Sequence, residues 1–476
     1  MTELTLAARR TPLLTRLRPM KLAAALGVTA LLALAACGVQ DGRLSGRDAD
    51  LALDALKAAP EHGFPAERFK ADRIERLIKG GGGDKALAER ELKAALVDYA
   101  RAQHGLTIPK SAFPQDWGLK PADYDAAATL EAALRSGKLK EWLESQPTPL
   151  PAYRALQQSY VRYMKIAAAG GWPAVATSDP QTLVSRLAFE DPQLAQASGG
   201  PTDLGAALQR FQASHGLTPS GRLDAATVAE LNVPALARAA QIRANLERLR
   251  WLPRDEPATR VDVNTAAATM SYYRDGQLAM HMLAASGRPG GDETPMLASK
   301  IDNIVLNPPW NVPQGIAEEE ILPKGDEYLQ EKGFVWKDGR LVQQPGPEAA
   351  LGLVKFDFDN PYAVYLHDTP AKAAFALNSR AVSHGCVRLA QAVEFSKVLL
   401  AQENGWPAER VDQVLSSGET IHVKLSHATP VRLVYLTAFA DGDRLDFRPD
   451  IYGWDRTLLQ LMDNPPAEPK ARKRAA

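Results

Sequence analysis

Near Pro253 the sequence changes from a helix-favouring to a strand-favouring pattern, and this change limits the folds that the chain can adopt. From about Asp48 to Ala197 it is rich in Ala, Leu, Glu, Lys and Arg, residues that favour helices. Segments such as Asp84 to Gln103 keep apolar residues at helical spacing. After Pro253 short strand-like runs take over. A chain of 476 residues has room for two to four domains, so we predict an α+β multidomain protein with an α-helical scaffold followed by a mainly β unit.

The mainly β unit carries one strong hairpin pattern. Arg274-Asp275-Gly276 separates two strand-like segments, and Asp-Gly between such segments is typical of a tight β-hairpin. One helix is predicted from about Leu389 to Gln402. Further strands are predicted at 301–306, 354–358, 363–366, 420–425 and 431–438.

The N-terminus has the features of an export signal. Basic residues precede an apolar run, 22–36, that is short and Ala-rich for a membrane span, so 1–36 is predicted to be a signal peptide. The run ends in Leu-Ala-Ala-Cys37, which resembles the lipobox of bacterial lipoproteins. That resemblance implies cleavage before Cys37, lipidation of its thiol and attachment to the outer or inner membrane, and Gly38 favours the outer one. An uncleaved signal anchor is the alternative, and Met20 is an alternative start.

Charge balance and cysteine content limit the roles that the chain can have. The 56 basic and 56 acidic residues balance, which gives no reason to expect nucleic-acid binding. The chain has two cysteines, and if Cys37 is lipidated, Cys386 has no partner for a disulfide within the chain. Cys386 is then either an inert buried residue or a reactive thiol.

The neighbours of Cys386 favour a reactive thiol. Residues 383–389 read SHGCVRL, in which a turn at Gly385 precedes the predicted helix. A nearby imidazole and a helix N-terminus both lower the pKa of a thiol. The backbone N–H groups of Gly385 and Cys386 could also stabilise an oxyanion.

Two histidines are candidates for the catalytic base. His384 is near in sequence, but on a tight turn its ring need not face the sulfur. His367, at the end of a predicted strand, fits a base supplied by a separate segment. Asp368 is expected to face away from it, so a backbone carbonyl is the expected orienter of the imidazole. These residues lack compact metal-ligand spacing, and we predict no metal site.

Residues 204–232 have a second recognisable pattern, an amphipathic helix closed by Gly216, a turn at Gly221 and a second helix from near Asp224. The segment resembles the small three-helix peptidoglycan-binding module. An ordinary helical hairpin is the alternative. A fainter similar pattern at 98–106 is too incomplete for a prediction.

The cysteine motif resembles the SHGC-x-R signature of L,D-transpeptidases, enzymes with a YkuD-type catalytic domain, and 365–370 resembles their upstream histidine motif. Segments 307–313, 320–324 and 344–347 resemble a YcbB-like subgroup with a helical scaffold and a peptidoglycan-binding module. The resemblance implies a β-sandwich catalytic domain without a cofactor. The insertion at about 318–343 is shorter than is usual in the subgroup. Whether it covers the substrate as a lid is therefore not decided by the resemblance.

The resemblance also implies roles for residues. Cys386 would be the nucleophile, and His367 would donate and accept protons. The other implied site residues are His384 as a supporting group, Ser383, Gly385 and Arg388 in the site loop, and Tyr365, Trp310 and Asn311 on the substrate.

The implied reaction is the transfer of a peptidoglycan stem peptide through a cysteine thioester, giving 3→3 cross-links. Other acceptors, namely a lipoprotein lysine, a free D-amino acid or water, stay open, and so does a non-catalytic lipoprotein that tethers the membrane to peptidoglycan. A papain-like endopeptidase is disfavoured, because its cysteine precedes its histidine. A periplasmic location in a Gram-negative bacterium follows. The predicted domains after the signal peptide are the scaffold (38–198), the binding module (199–235), a helical linker (236–257), the catalytic domain (258–426), C-terminal strands and helix (427–462) and a basic tail (463–476).

Overall fold

The structure, a computed structural model, describes residues 44–80, 85–176, 179–195, 203–442 and 444–467. The predicted signal peptide and Cys37 lie outside these residues, as does most of the predicted basic tail. Within the described residues we find no helix both long and apolar enough to span a membrane. The α-helices are α1 (Gly46–Ala58), α2 (Ala71–Lys79), α3 (Lys85–Gln103), α4 (Ala126–Arg135), α5 (Leu139–Ser145), α6 (Pro151–Ala168), α7 (Pro180–Leu187), α8 (Pro192–Ala195), α9 (Leu204–Ser214), α10 (Ala225–Leu231), α11 (Ala235–Arg250), α12 (Gln314–Ile316), α13 (Asp326–Glu331), α14 (Ala392–Asn404), α15 (Ala408–Ser417) and α16 (Trp454–Asp463).

The predicted helical scaffold is confirmed between α1 and α6. Helices α1 to α5 bury one apolar cluster that includes Leu56, Leu96 and Trp142. Ser45 caps α1, because its hydroxyl accepts from the Asp48 N–H at 3.1 Å. Proline at the first position of α6 suits a helix start, where its missing N–H has no intrahelical partner.

Helices α7, α9 and α10 form a small unit with its own apolar core. The helix ends follow the sequence pattern: Gly216 has φ +70°, and the Asp224 carboxylate accepts from the Thr227 N–H at 2.7 Å. Leu183 of α7 and Phe211 of α9 share the core, so the third helix of this unit precedes the predicted module. The predicted boundary at 198–199 falls among residues outside the described ranges.

The C-terminal part is mainly β, as predicted. Its strands are β1 (Arg260–Asn264), β2 (Thr269–Arg274), β3 (Gln277–Gly287), β4 (Leu297–Leu306), β5 (Trp310–Asn311), β6 (Phe334–Lys337), β7 (Arg340–Gln343), β8 (Val354–Phe358), β9 (Leu366–His367), β10 (Ala381–Ser383), β11 (Val387–Leu389), β12 (Ile421–Val434), β13 (Ala438–Asp441) and β14 (Arg444–Phe447). Nine of them form one sheet in the order β10-β3-β11-β9-β8-β4-β12-β1-β2, and β2 also pairs with β3. The sheet therefore closes on itself around the core, and helix α14 packs onto that core through Phe395 and Leu399.

The local strand predictions had mixed outcomes. The Asp-Gly hairpin is confirmed, since β2 and β3 pair antiparallel across Asp275 and Gly276, which have φ of +51° and +82°. The strands predicted at 420–425 and 431–438 are instead one strand, β12, with a register shift between Lys424 and Thr429. This strand crosses the position, 426–427, at which the catalytic domain was predicted to end. A second helix, α15, was missed.

Residues 310–343 form a small unit beside the sheet, which we call the insertion. Strands β5, β7 and β6 pair in that order, and α12, a π-helical turn at Ala317–Ile321 and α13 lie between β5 and β6. Its apolar core includes Val312, Phe334 and Leu341. The unit begins before the predicted insertion, at Trp310.

Helix α11 joins the scaffold to the C-terminal segment through a buried ion pair. The guanidinium of Arg248 is bonded to the carboxylate of Asp455 on α16, and both side chains are buried. Thr437 donates to the same carboxylate at 2.6 Å. Apolar residues of α6, α11 and α16 surround the pair.

Asp455→Ala should destabilise the protein strongly, because it leaves the Arg248 cation buried without its partner. We expect the free energy of unfolding to fall by about 3–5 kcal/mol. The fall should be seen as a lower midpoint of thermal unfolding. Asp463→Ala on the same helix is the control: its pair with Arg243 is half exposed at the carboxylate and should contribute under about 1 kcal/mol. If both variants lowered the unfolding midpoint equally, the buried pair would contribute no more to stability than the exposed pair.

Candidate active site

Two of the predicted site residues, His367 and Arg388, lie on one face of the large sheet, beside a lysine from a third strand. Strands β9 and β11 run parallel, with Arg388 opposite His367, and β8 runs antiparallel to β9, with Lys355 opposite His367. Lys355, His367 and Arg388 therefore form a row. Tyr365 and Cys386 precede β9 and β11, and the Val387 N–H donates to the Tyr365 carbonyl at 3.1 Å.

The opposite face of the same strands explains this arrangement. Phe356, Leu366 and Val387 are fully buried in the core of the sheet. Because side chains alternate along a strand, burial of these residues turns their neighbours outward to the other face. The apolar side chains on the buried face of each strand thus fix the direction in which the site residues point.

The predicted helix start beside Cys386 is wrong. Residues 387–389 form β11, and α14 begins only at Ala392. The alternation of buried Val387 and Leu389 with Arg388 fits a strand that pairs on both sides, with β9 and β3. No helix dipole therefore acts on the thiol from its own segment, and lowering of its pKa must come from other groups.

The Cys386 thiol lies in a protein environment that keeps it neutral at rest. Burial raises the pKa of the thiol above its ordinary value. Tyr365, through its backbone and its side chain, and the charges of Lys355 and Arg388 act in the other direction. All four favour the thiolate once the proton has left.

His367 is a buried, neutral imidazole with a fixed orientation. Its Nδ1–H donates to the Asp368 backbone carbonyl at 2.5 Å, as the sequence predicted. Nε2 is then the unprotonated nitrogen. Burial, followed by the charge of Arg388, lowers its pKa from 6.5 to about 3. The ring is 5.6 Å from that of Tyr365 between centroids, on the face that carries the thiol.

The Asp368 carboxylate does not touch the imidazole, which confirms the expected orientation. It accepts from the Lys372 ammonium at 2.6 Å and from the Leu353 N–H at 3.0 Å. Gly352, with φ +60°, leaves room for this carboxylate, because a Cβ there would lie 2.4 Å from its oxygen. Asp368 thus fixes the loop around the histidine.

His384 binds the insertion rather than the thiol. Its Nε2 donates to Glu320 in the π-helical turn at 2.6 Å. Arg288 lies 3.4 Å from the same carboxylate oxygen. These partners lower the pKa of Glu320, chiefly through the hydrogen bond from His384. His384 therefore links the cysteine loop to the insertion.

The loop that carries the thiol is held by its backbone. Gly385 has φ +101°, a conformation that favours glycine. Its carbonyl accepts from the buried Thr294 hydroxyl at 2.7 Å. Ser383 donates from its hydroxyl to the Cys386 carbonyl at 2.6 Å. Among the described residues, the N–H groups of Gly385 and Cys386 donate to no protein acceptor.

The remaining predicted residues lie at the rim of the site. Trp310 lies on β5 of the insertion, and its side chain partly offsets the burial that raises the pKa of Tyr365. Asn311 is exposed on the same strand, β5. Arg388 is partly buried and, among the described residues, forms no ion pair, and its Nε has no acceptor.

Several residues of this site were missed from the sequence. Lys355 lies with its ammonium 4.2 Å from the centre of the Tyr365 ring, and Glu320 and Thr294 bind the cysteine loop. The period-2 pattern of β8 could have identified Lys355 as facing the same way as His367. The other two contacts depend on long-range packing. In the described part of the chain, no group of three or more His, Cys, Asp or Glu side chains is arranged to hold a metal ion.

Two family models match the chain. Residues 258–423 match the L,D-transpeptidase catalytic domain, YkuD, and residues 40–160 match a model described as a scaffold domain. A curated protein of Haemophilus influenzae, described as a putative L,D-transpeptidase, is 32% identical over 241 residues. That match covers 46% of this chain and 48% of the relative, so the chain spans about half the length of the relative.

Solved structures of L,D-transpeptidases also match. The catalytic domain of the E. faecium enzyme, acylated by ertapenem, is 17% identical, and the match covers 38% of this chain and 98% of that one with a TM-score of 0.21. The enzyme from Mycobacterium smegmatis is 15% identical over 37% of this chain and 58% of that one, with a TM-score of 0.21.

The neutral thiol and imidazole predict a steep pH dependence for alkylation of Cys386. The rate of reaction with iodoacetamide should rise about tenfold per pH unit from pH 6 to pH 8, because the thiolate fraction limits it. Lys355→Met should move the profile to higher pH by removing a cation that lowers the thiol pKa. Lys424→Met, an exposed lysine of β12, should leave it unchanged. A rate independent of pH in this range would instead indicate a thiolate–imidazolium pair.

Proposed function

We propose that this chain, whose residues 258–423 match the L,D-transpeptidase catalytic domain, forms 3→3 cross-links in peptidoglycan through a thioester on Cys386. The observation that carries the proposal is the single sheet face shared by a thiol, a neutral imidazole and a guanidinium. The donor is a tetrapeptide stem that ends in D-Ala. The acceptor is the side-chain amine of a neighbouring stem.

In the first stage, Cys386 forms the thioester. As its sulfur attacks the carbonyl of the third residue of the stem, the thiol proton passes to His367 Nε2, and the carbonyl electron pair moves to oxygen. Collapse of this tetrahedral intermediate breaks the C–N bond to D-Ala. The departing amine takes the proton from His367, which returns to its neutral form.

In the second stage, the acceptor amine resolves the thioester. Its nitrogen attacks the thioester carbonyl, His367 removes a proton from it, and the C–S bond breaks. The thiolate takes this proton from His367, which becomes neutral again, and the new amide bond joins the two stems. A metal or an organic cofactor has no part in either stage.

His367 is neutral in the free protein, so its imidazole can accept the thiol proton as the sulfur attacks. The hydrogen bond to the Asp368 carbonyl keeps Nδ1 protonated, so Nε2 is the nitrogen that exchanges the proton. Tyr365, which lowers the pKa of the thiol, favours the sulfur as its negative charge develops. The active form of the site is therefore created by substrate attack.

We further propose that Arg388 binds the terminal carboxylate of the donor stem. It is the partly buried cation of the face that has no ion pair among the described residues, and it lies beside His367. A guanidinium can bind a carboxylate through two hydrogen bonds. Trp310 and Asn311, at the rim, would contact the rest of the stem.

Location and wall attachment are also proposals. Lipidation at Cys37 would anchor the protein in a Gram-negative periplasm, with the outer membrane favoured. The module at 199–235 would bind peptidoglycan. Its turn lies against the catalytic unit, where the Thr218 hydroxyl donates to Asn378 at 2.7 Å, so a bound glycan strand would lie near the catalytic sheet.

Incubation of the purified protein with sacculi rich in tetrapeptide stems should yield 3→3 dimers, detected by muropeptide mass spectrometry. Cys386→Ala should abolish them, because no thioester can form, and Cys386→Ser should do the same because its hydroxyl is a far weaker nucleophile. Dimers from the alanine variant would refute the nucleophile. Products shortened to tripeptides, or carrying a D-amino acid, would identify water or that amino acid as the acceptor.

His367→Ala should slow acylation of Cys386 by a carbapenem at least about 100-fold, because the thiol loses its proton acceptor. The rate is measured as a mass shift of the intact protein. His281→Ala is the matched control, since His281 lies exposed on β3 of the same sheet and its Nδ1 is 3.0 Å from the Ser271 hydroxyl. An unchanged rate in a folded His367 variant would exclude this histidine as the base.

A further inference from the structure

Thr294 is buried behind the cysteine loop and bonds to two backbone segments of the site. Its hydroxyl donates to the Gly385 carbonyl at 2.7 Å and accepts from the Gly287 N–H at 2.8 Å. The side chain is fully buried. One hydroxyl thus satisfies a carbonyl of the cysteine loop and an N–H at the end of β3.

This bond fixes the direction of the Cys386 N–H. The Gly385 carbonyl and the Cys386 N–H belong to one planar trans peptide, in which the two groups point in opposite directions. Because the carbonyl points inward to Thr294, the N–H points outward from the core. On the other side of Cys386, its carbonyl is held by the Ser383 hydroxyl at 2.6 Å. Both peptide planes around the nucleophile are therefore fixed.

A residue from the C-terminal segment supports Thr294. The Tyr452 hydroxyl donates to the Gly287 carbonyl at 2.7 Å and accepts from the Thr294 N–H at 3.3 Å. Gly287 itself has no room for a side chain, since a Cβ there would lie 1.7 Å from the Asp292 carbonyl oxygen. Thr294, Gly287 and Tyr452 form a close-packed support behind the loop.

We propose that Thr294 is a positioning residue that aims the Cys386 N–H at the oxyanion of the tetrahedral intermediate, and that Tyr452 holds Thr294 in place. The inference rests on the proposed function, since an oxyanion forms only when the thiol attacks a carbonyl. Thr294 does not touch the substrate. It acts through the peptide plane that it fixes.

The test compares two reactions of the same thiol. Acylation by a carbapenem passes through an oxyanion, whereas alkylation by iodoacetamide displaces iodide at a saturated carbon and forms none. Valine has nearly the same shape as threonine but lacks the hydroxyl. Thr294→Val should slow acylation about 10- to 100-fold, which is at most the effect of removing one oxyanion donor outright. Its alkylation rate should stay within about twofold of the wild type, because the thiol keeps its own surroundings.

Thr294→Ser is the matched control, because it keeps the hydroxyl and should restore acylation to within a few-fold. A selective loss in the valine variant with rescue by serine supports the inference. Acylation at the wild-type rate in the valine variant, or an equal fall of both rates, overturns it. If the valine variant does not fold, the same two rates are measured for Tyr452→Phe. We expect a smaller loss of acylation, with alkylation unchanged. Acylation at the wild-type rate, or an equal fall of acylation and alkylation, would contradict the proposal.

The two levels of the proposal can fail separately. A wild-type protein that reacts with iodoacetamide but with no acyl donor overturns the proposed function, and this inference with it. A wild-type protein that is acylated while Thr294→Val is acylated equally fast overturns the role of Thr294 alone.

Discussion

The parallel pairing of β9 with β11 is the constraint on which the site depends. It sets Arg388 opposite His367 and brings Cys386 next to Tyr365, although histidine and cysteine belong to separate segments. The pairing is held from the other side of the sheet, where Leu366 and Val387 are fully buried. A shift of one residue in either strand would turn its site residues into the core. The chemistry is therefore positioned by apolar packing that has no chemical role itself.

Much of this arrangement could be predicted from the sequence, because it depends on local patterns. The Asp-Gly hairpin and the Asp224 cap follow from backbone preferences of the residues themselves. The carbonyl partner of His367 followed from strand alternation. The helix predicted at Leu389 failed because three residues that fit either structure became a strand through pairing with β3 and β9. Pairing between distant segments is not encoded in a local pattern.

The partners of the cysteine loop were the least predictable part of the site. Glu320 meets His384 from the insertion, and Thr294 meets Gly385 from the turn between β3 and β4. Adjacent residues in the motif thus have unrelated partners, and neither sequence spacing nor residue type indicates them. Tyr452 binds Thr294, and so supports the loop indirectly, from beyond residue 423, where the matched catalytic domain ends. The conformation of the loop therefore depends on three separate parts of the chain.

The two cations beside His367 act on both the imidazole and the thiol. Arg388 and Lys355 both lower the pKa of this histidine, in addition to burial. They also favour the thiolate of Cys386. Under the proposed function, a donor carboxylate that binds Arg388 would offset part of this positive charge. The imidazole would then hold a proton more readily than in the empty site, at the stage when the thiol must release one. The same offset would weaken the support that Arg388 gives to the thiolate, so Lys355 and Tyr365 would stabilise most of the negative charge on the sulfur.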